Sequence, residues 1–189
     1  MNTARDRRVG LIGLGALGYR LATRLLNNGV SLSVVDTEPK KVAAVEALGG
    51  CASASPLYLA GKTNPILLAL PSPTAVETVM TGPEGLLCGM KHDTIILDLS
   101  TLDPATSQHW AAETANRGGT YLDAPVTCSI TQGGGTAAAA CGELTFLVGG
   151  DKAAFESILD LLETLGRRFH HLGPIGSGSA MKLISNHLS

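Results

Sequence analysis

Three glycines, Gly13, Gly15 and Gly18, stand between an apolar run at residues 9–12 and a stretch at residues 16–26 whose apolar residues recur at helical spacing. The run reads as a buried strand, and Gly29 ends the helical stretch as a C-terminal glycine cap does. The chain must therefore turn from strand to helix within Gly13-Leu14-Gly15-Ala16-Leu17-Gly18. Gly13 allows the tight turn, Gly15 the close approach of backbone to a ligand, and Gly18 the packing of helix on sheet. Bare amides at the helix N-terminus then favour a pyrophosphate. All six residues are candidate contacts to a dinucleotide.

Asp36 strengthens that reading. It ends the next apolar run, residues 31–35, and stands 18 positions after Gly18. A carboxylate there can accept from both ribose hydroxyls, or it can cap the helix that follows Thr37-Glu38-Pro39. In the first role it repels a 2′-phosphate, so NAD is expected over NADP. Lys40 and Lys41 are expected on the solvated face of the next helix.

Short apolar runs alternate with helical stretches to about residue 170, the rhythm of β-α-β units and a mostly parallel sheet. Further strands are expected at residues 66–70, 95–99, 121–124, 145–148 and 168–172. Helices are expected at 40–48 and 74–80, after Asp103-Pro104, and from Asp151 to about Leu165. The segment Thr131-Gln-Gly-Gly-Gly-Thr-Ala-Ala-Ala-Ala140 reads as a loop or weak helical turn, too small-sided to hold a core position.

Composition narrows the function classes. The 189 residues are 44% hydrophobic and 16% charged, which suits a globular domain. A net charge of −2 and 4% aromatic content argue against nucleic acid. No apolar run reaches the roughly 18–20 residues that cross a bilayer. Arg5-Asp-Arg-Arg superficially resembles a signal region, but the apolar run after it is glycine-punctuated and passes into a helix, so a cytoplasmic protein is expected. Cys51, Cys88, Cys128 and Cys141 lack ligand spacing and read as free thiols; no metal site is expected among them or the five histidines.

The end of the chain carries different chemistry. Lys182 and Asn186 are four residues apart, one turn on one helix face. The ammonium can stabilise and protonate a developing alkoxide, and the amide can hold an oxygen. The same spacing also suits a surface lysine on an amphipathic helix, with Ala180, Ile184 and Leu188 as its apolar stripe.

Taken together, Gly13 to Gly18, Leu70-Pro71-Ser72-Pro73, Asp98-Leu-Ser-Thr101 with Asp123-Ala-Pro-Val126, and Gly176-x-Gly-x-x-x-Lys182-x-x-x-Asn186 resemble the β-hydroxyacid dehydrogenases, the family of 3-hydroxyisobutyrate dehydrogenase and tartronate semialdehyde reductase. The resemblance implies an α/β fold of Rossmann type, doubly wound, in residues 1–175. Residues 176–189 would begin the helix leading to a helical domain absent from this chain. Leu70, Pro71 and Thr101 would line the cofactor, Lys182 would be the acid/base, and Asn186 would position substrate oxygen. The substrate would be a small 3-hydroxy acid, and the full-length form a homodimer.

Two departures from the family follow. Thr127-Cys128-Ser129 stands where the family has Ser-Gly-Gly, so these three are candidate substrate contacts with altered backbone freedom. Cys128 reads as a passive pocket thiol. The helix bearing Lys182 is short, so the 189-residue chain is expected to bind NAD weakly and turn over poorly alone. Two other readings remain: a non-catalytic dinucleotide-binding module, and an imine reductase-like enzyme, which Lys182 disfavours. Ser185 before Asn186 disfavours a 6-phosphogluconate dehydrogenase.

Overall fold

A computed structural model describes residues 7–127 and 135–188. In chain order the elements are β1 (Arg8–Ile12), α1 (Ala16–Asn27), β2 (Ser31–Val35), α2 (Pro39–Glu46), β3 (Cys51–Ala52), α3 (Pro56–Ala60), β4 (Ile66–Leu68), α4 (Pro73–Thr81), α5 (Leu86–Gly89) and β5 (Ile95–Asp98). They continue with α6 (Pro104–Ala115), β6 (Thr120–Asp123), β7 (Val126–Thr127), α7 (Gly135–Cys141), β8 (Leu144–Gly149), α8 (Lys152–Ser157), α9 (Leu159–Leu165), β9 (Gly166–Gly173) and α10 (Ser177–His187).

The strands form one sheet in the order β3-β2-β1-β4-β5-β6-β8, with β7 also paired to β8 and β9 on the far side of β8. Pairings from β3 to β6 are parallel, whereas β8 runs antiparallel to β6 and β7. The fold is thus the doubly wound α/β type, with its crossover reversal between β1 and β4.

Parallel strands are covered on both faces, which is why their sequences read as unbroken apolar runs. Leu11, Leu67, Leu97 and Leu122 point into one core with α1, α7 and α9. Ile12, Leu68, Ile96 and Tyr121 point into a second core with α3, α4, α5 and α6. Each such leucine or isoleucine contributes about 1.5–3 kcal/mol by leaving water. Helix starts follow local chemistry: Ser72, Asp103 and Asp151 accept from the third residue on, at Ala75, Thr106 and Ala154.

Three expectations change. In the segment read as a loop or weak helical turn too small-sided for the core, α7 begins at Gly135 and runs to Cys141, and Ala138 and Ala139 are buried in the first core beside α1. Small side chains there permit close helix packing. The expected helix from Asp151 is two, because Ile158 leaves helical geometry (φ −114°, ψ 9°) while burying its side chain. Short elements at Cys51–Ala52, Pro56–Ala60 and Leu86–Gly89 lack the length to show a period.

The glycine turn is held by contact. Gly13 has φ +95°, and its N–H donates to the Val35 carbonyl at 2.9 Å. A Cβ on Gly18 would lie 1.9 Å from the Gly13 carbonyl oxygen, whereas one on Gly15 would meet nothing within 4 Å. We predict that Gly18→Ala destabilises the fold by at least ~2 kcal/mol through backbone overpacking, while Gly15→Ala changes stability by less than ~1 kcal/mol. Urea midpoints at unchanged slope read both; equal midpoints for the two variants would contradict this packing.

Candidate functional site

The loops at the C-terminal ends of β1, β2, β4 and β5 surround a cavity of about 840 Å³. This is the crevice at the topological switch point, where open α/β sheets bind ligands, and its size suits a small-molecule or cofactor site. Gly13, Gly15, Ala16, Leu17, Asp36, Leu70, Pro71 and Thr101 all line it. Leu14 and Gly18 are buried behind that lining. Gly15 caps α1 with no side-chain hydrogen bond, so the helix presents bare amides to the cavity.

Asp36 holds the turn as well as facing the cavity. Its Oδ2 accepts the Leu14 N–H at 2.6 Å and its Oδ1 the Glu38 N–H at 2.8 Å. Lys41 differs from expectation: it lines the cavity, and its Nζ donates to Glu38 Oε1 at 2.5 Å. That bond is the main reason its ammonium is held above the usual lysine range, with Asp36 adding to it. Proline at the start of α2 sets the turn that brings Glu38 and Lys41 round beside Asp36.

Several lining residues were not anticipated. Ala75, Thr78 and Val79 face the cavity from α4, while Val76 and Met80 on its other side are core. That division repeats at helical spacing directly after Leu70-Pro71, which was the signal available.

Behind the lining lie two buried carboxyls on adjacent strands, Asp98 and Asp123, opposite each other in register. Asp98 Oδ1 accepts the Ser100 N–H at 2.8 Å, and Oδ2 accepts the Tyr121 hydroxyl at 2.5 Å. Ser100 Oγ in turn accepts the Leu70 N–H at 3.1 Å. One carboxyl thus ties together the two loops that carry Leu70, Pro71 and Thr101. Burial raises the Asp98 carboxyl above the ordinary range, against the bonds from Ser100 and Tyr121 that favour its charge. Burial also raises the Asp123 carboxyl, opposed by the N–H groups of Gly176 and Ser179. The Tyr121 hydroxyl is pushed well up by burial and by the Asp98 charge, so it stays a donor.

The chemical end is placed apart from the cavity lining. α10 turns Gly178 and Ser179 inward; Lys182 and Ser185 are half-buried on the same side, and Asn186 is exposed. The apolar residues Met181, Leu183, Ile184 and Leu188 are exposed as well, at 41%, 39%, 54% and 84%. Thr127 lies in β7, half-buried and in register with Thr145. Cys128 and Ser129 fall outside the described residues. Among the described residues, no His, Cys, Asp and Glu group is placed to hold a metal ion, and no helix is long and apolar enough to cross a membrane.

Residues 8–173 match the family model described as the NAD binding domain of 6-phosphogluconate dehydrogenase, and the chain belongs to that family. The match ends before Lys182. Within the family, the likeness to hydroxyacid dehydrogenases extends through most of the chain. A 2-(hydroxymethyl)glutarate dehydrogenase of Eubacterium barkeri is 39% identical over 95% of this chain and 58% of its own length. A solved 3-hydroxyisobutyrate dehydrogenase of Salmonella typhimurium is 30% identical with a TM-score of 0.87, covering 97% of this chain and 62% of that one. A structure described as Psf3 in complex with NADP+ and 2-OPP is 27% identical with a TM-score of 0.88, covering 94% of this chain and 61% of that one. The chain therefore spans about three-fifths of the length of these proteins.

The raised Asp98 carboxyl has a measurable consequence. A carboxyl whose folded value exceeds its unfolded one binds its proton more tightly when folded, so its stabilising contribution is full at low pH and is lost as pH rises through the folded value. Asp98→Asn removes that dependence. We predict that wild type loses stability relative to Asp98→Asn as pH is raised from about 4, the unfolded carboxyl value, to 7. Urea melts of both proteins at the two pH values measure the difference; a gap moving in wild type's favour with rising pH would contradict it.

Proposed function

We propose that this chain is the dinucleotide-binding part of an NAD-dependent oxidoreductase that interconverts a small 3-hydroxy acid and its aldehyde or keto acid. The observation that carries the reading is the 840 Å³ cavity at the switch point, in which the glycine turn, Asp36 and the loops of Leu70-Pro71 and Thr101 converge. Residues 1–175 would form the dinucleotide-binding domain and 176–189 the start of a helix leading to a helical domain. The exposed apolar side of α10 supports that second part, since a following domain would cover it.

The residues fit the cofactor on local grounds. A Cβ at Gly15 meets open space, so backbone there can be approached by a pyrophosphate, and α1 directs uncapped amides at it. Asp36 keeps lone pairs for ribose hydroxyls beyond the two N–H groups it already accepts. Its charge, with Lys41 held by Glu38, favours NAD over the 2′-phosphate of NADP. When bound, the nicotinamide supplies or takes the hydride. Lys182 would stabilise the alkoxide and deliver its proton in reduction, and accept the hydroxyl proton in oxidation. Asn186 would hold the substrate oxygen, and Thr127, Cys128 and Ser129 the carboxylate. The full-length form would be a homodimer, and a cytoplasmic setting is consistent with the exposed free thiols Cys51, Cys88 and Cys141.

The non-catalytic binding-module reading predicts the same cofactor affinity without turnover, and the imine reductase-like reading predicts reduction of imines in place of carbonyls. Fluorescence titration is expected to give at least ~10-fold tighter binding of NADH than NADPH, with Asp36→Ala closing that gap and Gly15→Ala weakening both. Comparable affinity for both cofactors in wild type would overturn the NAD assignment. In assays of small 3-hydroxy acids with the protein extended by a helical domain, Lys182→Ala is expected to lower kcat about 10²–10⁴-fold. Undiminished turnover in that variant would remove Lys182 from the chemistry.

A further inference from the structure

α10 begins with a difficulty of its own making. Its N-cap is Gly176, at φ +90°, which has no side chain to accept the first-turn amides. Those amides are turned into the protein, where an unpaired N–H is costly. Asp123, the last residue of β6, meets the need from across the fold. Its Oδ1 accepts the Gly176 N–H at 2.8 Å and its Oδ2 the Ser179 N–H at 2.6 Å. Ser179 Oγ also lies 2.9 Å from Ser107 Oγ on α6. Gly178 lets the helix come down on the sheet: a Cβ there would lie 2.1 Å from the Leu147 carbonyl oxygen.

We propose that Asp123 is a positioning residue, which fixes the Lys182-bearing end of α10 against the strand ends. Lys182 is three residues beyond Ser179 on the same helix face, about 4.5 Å along the axis. On the adjacent strand, in register with Asp123, Asp98 fixes Ser100 and through it Leu70. The two neighbouring carboxyls therefore set the helix and the cavity wall relative to one sheet edge. The importance of that placement for turnover rests on the dehydrogenase reading above; the anchoring does not.

Amide hydrogen exchange on wild type, Asp123→Ala and Asp123→Asn separates the two. In Asp123→Ala, amides of residues 177–183 are expected to exchange roughly 10- to 100-fold faster, while those of α1 change by less than about twofold. Asp123→Asn keeps one acceptor oxygen and is expected to fall between. NADH affinity should hold within about twofold in both variants, because the glycine turn and Asp36 lie elsewhere on the edge. In turnover assays kcat should fall and KM for NADH stay, with partial rescue by Asn. Unchanged exchange in α10, or equal acceleration in α1, would overturn the anchoring. A loosened α10 with undiminished kcat would overturn its role in placing Lys182. Turnover is read in the protein extended by a helical domain; if that form reduces no aldehyde or keto acid, the dehydrogenase reading fails and the exchange pattern alone still decides the anchor. Should Asp123→Ala not fold, Asp123→Asn decides by the same readouts.

Discussion

Carboxylates at the C-terminal ends of strands hold the working edge of this protein together. A parallel sheet leaves its strand ends facing loops whose amides have no ladder partner, and those amides must be satisfied. Asp36 takes the Leu14 and Glu38 N–H groups, Asp98 that of Ser100, and Asp123 those of Gly176 and Ser179. Each bond joins a strand end to a segment remote from it or to the next turn. Charge-assisted bonds of this kind are worth roughly twice neutral ones, yet two of the three carboxyls are buried and costly to ionise. The edge is therefore well defined in geometry and sensitive to protonation.

Seen this way, the cavity and α10 share one support. Asp36 shapes the glycine turn, Asp98 binds the two loops opposite it, and Asp123 anchors the helix beyond. The carboxylate proposed to recognise ribose also holds the turn, so a variant at Asp36 acts on both recognition and local structure.

Much of the fold was legible in the sequence because parallel strands buried on both faces write continuous apolar runs, and because Asp103 and Asp151 announce helix starts. Gly13 and Asp36 were legible as one site from order and spacing within a β-α-β unit, and Leu70 and Thr101 joined them only through the family resemblance; all four line one cavity. The rest depended on contacts distant in sequence. Ala138 and Ala139 enter the core because α1 comes close to them, which no local pattern states. The inward side of α10 is small and polar, Gly178-Ser179-Lys182-Ser185, with the apolar stripe outward, so amphipathicity alone points the wrong way. Asp98 and Asp123 were visible as members of motifs, but their partners at Tyr121, Gly176 and Ser179 are a matter of tertiary arrangement.

The central claim is that the strand-end cavity is a dinucleotide site, and backbone NMR shift mapping during NADH titration tests it most directly. The account predicts saturable perturbations centred on Gly13 to Gly18, Asp36 and Thr37, Leu70 and Pro71 neighbours, and Ser100 and Thr101, with the outer strands β8 and β9 little changed. Perturbations centred elsewhere, or none at millimolar NADH, would contradict it.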